Sequence, residues 1–349
     1  MKEITMEDDM KKVIVIYCVL VVTVLLSAQS IFALDISFVV GDVIVERDGK
    51  ENLAVVGMKL SQGDIIITKN ASIAELQYAD KSTVRIFENT KVKVAAIQDN
   101  QENVSIINGV IKAKISKLQK GETKKVYTPT TVCAVRGTEF FVAVSDSSNS
   151  RVNMEEGSLA LTNPYGEINV NGDEQATVEV AKKPLVDENP KNPELWKNTA
   201  DKDFVLEPQK YAESYEEYLA TLEQRSSMQS AEIEKFKQSS VKKKDSKKLE
   251  KDLDELENKV AVIADDFFLG DCANAAVDHV LQSYKEKKQE IFDSFNKVKE
   301  QADRVVQQQK ANYEAIMAIK EAYRKSYEEI KGKHKESIKK IQEEVNKVQ

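Results

Sequence analysis

The 349-residue sequence is poor in the residues that most catalytic and metal sites require. It contains only two histidines, His279 and His334, together with three cysteines and one tryptophan. None of the spacings that mark a zinc site, a phosphate-binding loop or a serine-hydrolase turn occurs. Carboxylates are plentiful, but no pair stands out from a solvated surface. We therefore expect no catalytic residue, no cofactor, no metal and no enzymatic activity.

An excess of positive charge is also absent. The chain has 51 Lys and Arg against 58 Asp and Glu, which gives a formal net charge of −7. Nucleic-acid-binding proteins favour a basic face, so we do not expect a nucleic acid as partner. The densest lysine run, residues 242–248, is either a solvated helix face or a contact for anionic lipid or cell-wall polymer.

The sequence has one long apolar run, close to the N-terminus. Val13 to Leu26 follows Lys11-Lys12, and small and polar residues continue to Ala33. This is the pattern of an export signal, and about 14 apolar residues fall short of the roughly 20 that span a bilayer. We predict a signal peptide at 1–33 and a periplasmic or cell-envelope location. The alternative is an uncleaved segment that tethers the chain to the inner membrane.

Removal of the signal leaves two cysteines, Cys133 and Cys272. In an oxidising compartment they can form a disulfide. Otherwise Cys133 is a small buried hydrophobe and Cys272 an unpaired loop residue. The redox state stays open at this point.

Residues 36–180 have the pattern of short strands separated by turns. Polar and apolar residues alternate along Ile73–Tyr78, and turn signals such as Asp48-Gly49 and Asn108-Gly109 divide the strands. Turns spaced by roughly 8–12 residues predict an all-β domain, which is a sandwich, a roll or a solenoid-like stack.

Two apolar strands near the middle of this region, within Val126–Val144, are joined through Arg136-Gly137-Thr138. Thr128-Pro129 predicts an extended entry, because the residue before proline avoids the helical region. Gly137 predicts a bend, a bulge or a close backbone approach.

Arg136 permits two interpretations. It is a contact for a ligand or partner, or it pairs with an acid such as Glu139 or Glu156, or with backbone carbonyls, and locks the strand junction.

Together these motifs resemble the FecR-type domain of bacterial envelope proteins over roughly residues 36–165. The match includes the strand end at 63–68, the hairpin at 72–82, Gly109, and the Glu156-Gly157 pair. The signature residues, for which we predict a structural role, are Thr128, Pro129, Arg136, Gly137, Thr138, Glu139 and Phe140. A departure is Lys81, where the family usually has glycine, and it predicts a slightly different turn.

The resemblance implies an envelope protein that contacts a protein partner or a cell-wall glycan and does not catalyse a reaction. The name-giving members of the family control a sigma factor through a cytoplasmic segment. Here about a dozen residues precede the apolar run, too few for a folded domain. We therefore predict an exported binding or scaffold protein, and the alternative is a membrane-anchored signal-transduction regulator of the FecR type.

Residues 181–202 predict a linker, because they contain three prolines and several Asn and Asp residues. From residue 203 to 349 apolar residues recur at spacings of three and four. This predicts a helical coiled-coil region that forms a homo-oligomer or folds on itself. Lys288, Gln309 and Asn312 occupy polar positions of the seam and are expected to set its register.

Gly270-Asp271 interrupts the helical pattern. Glycine commonly follows the end of a helix and aspartate commonly caps the next, so we predict the turn of an antiparallel hairpin here. A single bent helix through Gly270 is the alternative.

Overall fold

The computed structural model describes residues 34–98, 101–118, 124–135, 137–187, 192–238 and 246–348. These residues lie within one compact unit that begins at Leu34. Sixteen strands and then four helices are present among them. The predicted signal peptide at 1–33 lies outside the described residues.

The strands are short, as the turn spacing predicts, and they form the β domain, residues 34–187. In chain order they are β1 (Leu34–Val40), β2 (Val43–Arg47), β3 (Lys50–Leu53), β4 (Ile65–Thr68), β5 (Ile73–Tyr78), β6 (Thr83–Ile86), β7 (Thr90–Gln98), β8 (Gln101–Ile115), β9 (Lys124–Tyr127), β10 (Val132–Val135), β11 (Thr138–Val144), β12 (Ser150–Glu156), β13 (Ser158–Asn163), β14 (Gly166–Asn171), β15 (Gln175–Val178) and β16 (Leu185–Val186).

Two sheets share the long strand β8. Sheet A has the order β1-β5-β6-β8-β11-β12-β15-β16, and sheet B has the order β3-β2-β4-β7-β8-β9-β10-β13-β14. The pairs are antiparallel except for β8 with β9, which is parallel. Inward-facing side chains from both sheets, such as Ile36, Val84, Phe140 and Leu161, enclose one apolar core. The predicted all-β domain is therefore confirmed.

Strand β8 passes from sheet B to sheet A at Gly109, and this bend joins the two sheets. Its first half pairs with β7, and its second half pairs with β6 and β11. Gly109 has φ +108°, and a Cβ atom there would lie 2.2 Å from Oγ1 and 2.5 Å from Cα of Thr90. The turn predicted at Asn108-Gly109 is wrong. Glycine here allows a sharp bend and a close approach within a continuous strand.

Four helices follow the strands. They are α1 (Pro193–Leu206), α2 (Pro208–Gln238), α3 (Ser246–Tyr284) and α4 (Gln289–Val348). Helix α1 begins inside the segment predicted as a linker. The side chain of Asn192 accepts hydrogen bonds from the backbone N atoms of Glu194 and Leu195, and Pro193 occupies the first turn. Proline is well tolerated there, so it starts this helix rather than preventing it.

The helical hairpin is present, but the turn predicted at Gly270-Asp271 is wrong. Helix α3 runs through Gly270, and the chain reverses between α3 and α4 at residues 285–288. A Cβ atom on Gly270 would lie 1.9 Å from Oε1 of Gln309. The glycine therefore permits the close approach of α4 and does not end the helix.

Helices α2, α3 and α4 pack together into what we call the helical arm. Ile233, Leu249, Ile316 and Tyr323 are buried between them. The amide of Asn312 donates to the carbonyl of Ser226 at 2.7 Å. The region therefore folds on itself, and the predicted helical region is confirmed.

Two of the three predicted polar seam residues are buried in the arm. Gln309 and Asn312 lie inside it, whereas Lys288 is exposed in the turn before α4, where its Nζ donates to the carbonyl of Val205. The seam assignment of Lys288 is wrong, because the hairpin turns at that point. Among the described helices, none is both long and apolar enough to cross a membrane.

Helix α3 lies on the outer face of sheet B and joins the arm to the β domain. Tyr127 and Val132 of sheet B form a second apolar cluster with Phe204, Phe268 and Phe295 of the helices. Cys133 lies in the core between the sheets, and Cys272 is buried on α3 rather than in a loop. Both are free thiols, so the alternative of a Cys133–Cys272 disulfide is not formed.

Candidate functional site

The Thr128-Pro129 part of the signature forms a buried turn between β9 and β10. Oγ1 of Thr128 accepts hydrogen bonds from the backbone N atoms of Thr130 at 3.2 Å and Thr131 at 3.0 Å. The Ser150 hydroxyl, which belongs to sheet A, donates to the same atom at 2.8 Å. Thr128 thus connects a turn of sheet B to a strand of sheet A.

Gly137 lies where the chain leaves β10 in sheet B and enters β11 in sheet A. It has φ +85°, and a Cβ atom there would lie 3.1 Å from Cα of Lys117. Arg136 lies outside the described residues, and its pairing stays a prediction. Lys81 stands where the family usually has glycine, and its φ angle is +67°. This lysine therefore takes a left-handed backbone conformation that glycine adopts more readily.

The last signature residues line strand β11. Thr138 and Phe140 are buried, and Phe140 contributes to the core. Glu139 faces outward and pairs with Lys112 at 2.8 Å and Lys114 at 3.2 Å. The hydrogen bond from Lys112 lowers the pKa of Glu139, and Glu139 in turn raises the pKa of Lys112. These contacts join the neighbouring strands β8 and β11.

The structure shows a polar contact that sequence reasoning missed, where β9 and β7 meet α3. Nζ of Lys125 lies 2.7 Å and the hydroxyl of Tyr127 lies 2.9 Å from Oδ1 of Asp265. Further along α3, Lys93 pairs with Asp271 at 2.6 Å. Burial and the charge of Asp265 raise the pKa of Tyr127. We call these five residues the helix-docking face.

A second polar contact joins the loop after β11 to the helices. Asp146 accepts hydrogen bonds from the amide of Asn108 at 2.7 Å and the hydroxyl of Tyr284 at 2.5 Å, and Nε2 of His279 lies 3.4 Å away. Burial alone would raise the pKa of Asp146. The hydrogen bond from His279 and the charge of Lys197 outweigh burial and lower that pKa. His279 is therefore a docking residue, although sequence reasoning assigned it no partner.

Asp201 of α1 completes this contact. Its carboxylate accepts a hydrogen bond from the backbone N of Asp146 at 2.7 Å and pairs with Lys197 at 2.6 Å. Burial and the charge of Asp146 raise the pKa of Asp201. The loop after β11 is thereby tied to both α1 and α3.

The side chain of Arg151, on β12, is fully buried. It forms an ion pair with Asp187 and donates hydrogen bonds to Gln175 at 2.5 Å and Thr177 at 3.3 Å. A buried arginine needs such partners, and removing one of them would leave an uncompensated charge. These contacts hold the chain that leaves the β domain against sheet A.

A cavity of about 610 Å³ opens between the start of α1 and the outer face of sheet A. The rings of Phe87 and Phe141 lie in its floor, stacked with centroids 6.0 Å apart. Asn192 and Glu194 contribute to its rim. The size falls within the range of ligand pockets, and the lining suits an amphipathic ligand. Among the described residues no cluster of side chains could hold a metal ion.

The fold and these contacts define a β domain of two joined sheets to which a helical arm is docked by partly buried ion pairs. Residues 64–160 match the model of the family described as FecR protein. The matched segment runs from just before β4 into β13. The chain therefore carries a FecR domain, and the resemblance predicted from the signature is confirmed.

Two crystal structures, at 1.65 and 2.50 Å resolution, are similar to part of the chain. Both are of a candidate anti-sigma factor from Parabacteroides distasonis ATCC 8503. The identity is 16% and the TM-score 0.32, and the match covers 35% of this chain and 58% of that chain. A TM-score this low supports no argument about function. Comparison with curated proteins finds no match.

Proposed function

We propose that the chain is a non-enzymatic signalling regulator of the FecR type in the bacterial cell envelope. The FecR match supports this function better than the exported scaffold that the sequence pattern favours. The scaffold prediction rested on the few residues before the apolar run, and that argument says nothing of the rest of the molecule. The envelope location rests on the export-signal pattern of residues 1–33.

The observation that carries the proposal is the docking of α3 along the FecR domain. Asp265, Asp271 and Tyr284 contact the β domain at points spread over 20 residues, or about 30 Å of helix. Side chains from β7, β9 and the loop after β11 meet them. A partner that engages the arm is therefore coupled to the FecR domain through these contacts, and a partner of the FecR domain is coupled to the arm in the same way.

The partner class follows from the family resemblance and the charge. FecR-type regulators act through proteins, such as a sigma factor or an envelope receptor. The net charge of −7 disfavours nucleic acid. A cell-wall glycan is a weaker candidate, because Lys93, Lys125 and Tyr127 of the β domain are already paired with acids of α3.

Transcription in the host tests the proposal. Deletion of the gene should change the expression of a defined set of genes, and the wild-type chain should restore it. The Asp265→Asn/Asp271→Asn variant, which weakens docking, should restore it only in part. The matched control is Asp254→Asn, an exposed position of the same helix, and it should behave as wild type. An unchanged transcript profile on deletion would reject a regulatory role.

A scaffold remains the second candidate because of the shape of α4. Ile330 still packs in the cluster that contains Leu249, near the first turn of α3. Helix α4 continues to Val348 and so extends beyond that end of the arm. A constant amount of one protein recovered with the chain, together with unchanged transcription, would favour the scaffold.

A further inference from the structure

Exposed apolar side chains are concentrated on β1, at one edge of sheet A, and on the adjoining residues 53–56, which lead away from β3 at the edge of sheet B. Phe38, Val40, Leu53, Val55 and Val56 are each between 44% and 68% exposed. They are five of the twelve large apolar side chains that are exposed in the described part of the chain. We call them the β1 edge patch. Contiguous apolar surface of this kind marks interaction sites on soluble proteins.

Backbone hydrogen bonds hold the two segments of the patch side by side. The backbone N of Gly57 donates to the carbonyl of Ile36 at 2.8 Å, and the backbone N of Ile36 donates to Met58 at 3.0 Å. At the other end, the backbone N of Ala54 donates to Val43 at 2.9 Å. The segment 53–58 therefore crosses from the edge of sheet B to the edge of sheet A, and its valines adjoin β1.

A β-bulge turns the β1 side chains outward. The register with β5 shifts between Ile36, which pairs with Leu76, and Phe38, which pairs with Glu75. Without the extra residue, Phe38 and Val40 would follow Ile36 into the core. A bulge moves the following side chains to the opposite face of the strand. The exposure of Phe38 and Val40 is thus a consequence of the β-bulge in β1.

The outer edge of β1 is covered only along its first half. Besides the bonds to Ile36, the backbone N of Leu60 donates to the carbonyl of Leu34 at 3.0 Å. Beyond Ile36, no described backbone group pairs with that edge. An open strand edge beside apolar side chains is a template for another β-strand.

We infer that a second copy of this chain covers the β1 edge patch, through antiparallel pairing of the two β1 strands about a two-fold axis. An axis near Val39 sets Phe38 of one copy opposite Val40 of the other, as a cross-strand apolar pair. Sheet A then continues across the dimer. The inference is independent of the proposed function.

The charges around the patch favour a second copy. Arg47 pairs with Asp64 at 2.6 Å, and Lys59 pairs with Asp35 at 2.7 Å. A rim that carries both signs is complementary to itself after a two-fold rotation, as an interface between identical surfaces requires. A partner of uniformly one charge would gain no net attraction from these paired charges.

A lipid surface fits the patch less well. Hydrocarbon cannot form hydrogen bonds with the open edge of β1. Anionic headgroups attract basic segments, whereas the β2–β3 hairpin beside the patch carries three acids, Glu46, Asp48 and Glu51, against Arg47 and Lys50.

Cysteine crosslinking of the full chain in cells tests the contact. In a Cys18→Ser background, a short bismaleimide should join Val40→Cys to its copy, because an axis near Val39 places the two residues diagonally across the strand pair, about 7–8 Å apart. Cys133 and Cys272 are buried and should not react. The matched control is Leu185→Cys on β16, the opposite edge of sheet A. This position is 57% exposed and should give little crosslinked dimer.

A charge substitution gives the second measurement. Val55→Glu/Val56→Glu should raise the dissociation constant of the dimer at least about tenfold, since buried carboxylates would face each other. Leu185→Glu/Val186→Glu should leave it unchanged, and the melting temperature of each variant confirms folding. Equal crosslinking at positions 40 and 185 would overturn the inference. So would unchanged dimerisation of the glutamate variant, crosslinks to another protein alone, or vesicle binding without a dimer.

Discussion

Glycine has a different role in the β domain than in the helical arm. Gly109 and Gly137 have positive φ and lie where the chain passes between the sheets. Gly270 lies in a regular helix and makes room for Gln309 of the neighbouring helix. In the β domain, glycine is needed for the path of the backbone. In the arm, glycine is needed to make room for the Gln309 side chain, so a change at Gly270 can be compensated by a change at Gln309.

The strongest way to break the β domain is Gly109→Val. The new Cβ atom would overlap the backbone of Thr90, and the backbone would keep a strained positive φ. We expect the free energy of unfolding to fall by about 4 kcal/mol or more, as measured by chemical denaturation. Gly49→Val is the control, because it has φ +72° but nothing within 4 Å. It should cost only about 1–2 kcal/mol. Equal losses at both sites would contradict the close approach at Gly109.

Gly137→Val should have the next largest effect. Its Cβ atom would lie 3.1 Å from Cα of Lys117, which is tight but closer to tolerable than at Gly109. We expect a loss of about 2 kcal/mol from backbone strain and crowding. The melting temperature measures this loss, and a value unchanged within about 1 °C would contradict a constrained backbone at Gly137.

Gly270→Ala tests the role of glycine in the arm. Alanine in a helix interior is normally better than glycine by about 1 kcal/mol, but here its Cβ atom would collide with Gln309. We expect Gly270→Ala to destabilise the arm by about 1 kcal/mol in the wild type and to stabilise it in a Gln309→Ala background. Thermal unfolding, monitored by circular dichroism, measures the stability of each protein in this double-mutant cycle.

The control for this cycle is Gly332→Ala on α4, where nothing lies within 4 Å. It should be stabilising in both backgrounds. Additive effects of Gly270→Ala and Gln309→Ala would show that the two residues do not interact.

Asp265→Asn should loosen the junction between the two regions without unfolding either. It weakens the contacts of Asp265 with Lys125 and Tyr127, so α3 should leave sheet B more often. Cys272 is buried at that junction and Cys133 inside the β domain. We expect thiol labelling of Cys272 to become about tenfold faster, equivalent to about 1.4 kcal/mol, while Cys133 does not change. Equal acceleration of both thiols would mean that the domain and the arm open together.

The smallest effect should be a pH dependence at Asp146. Its pKa is lowered in the folded state, so its contribution to stability is present above the ordinary aspartate pKa of about 3.9 and is lost as the pH falls through the folded pKa. The stability difference between wild type and Asp146→Asn should therefore shrink between pH 5 and pH 3. Fluorescence of Trp196, which lies on α1 near this contact, reports unfolding. A stability difference between wild type and Asp146→Asn that stays constant between pH 5 and pH 3 would exclude a contribution from the titration of Asp146.

Much of the fold could be predicted because it depends on residues that are close along the chain. The alternation in β5 is local, and so is the heptad spacing in α4, whereas the turn at Thr128-Pro129 replaces the extended entry that the proline predicts. The errors arose where one residue type serves two purposes. The sequence pattern predicts a turn at Gly109 and the end of a helix at Gly270. In the structure, both glycines instead allow close packing against residues that are distant in sequence.

The candidate site could be predicted only in part. The signature residues from Thr128 to Phe140 were identified, whereas the helix-docking face was not. Asp265 has no unusual sequence context, since it is one of 58 acidic residues. Pattern alone does not distinguish it from a solvated carboxylate.

Local sequence was enough to set the order of strands and helices, because hydrophobic period and turn propensity act over a few residues. The packing of the chain decided the rest. Lys125 and Asp265 are 140 positions apart, and Lys93 and Asp271 are 178 apart. Only when the strands enclose their core and α3 lies across sheet B do these charges meet. Their proximity then turns ordinary surface residues into the junction between the FecR domain and its helical arm.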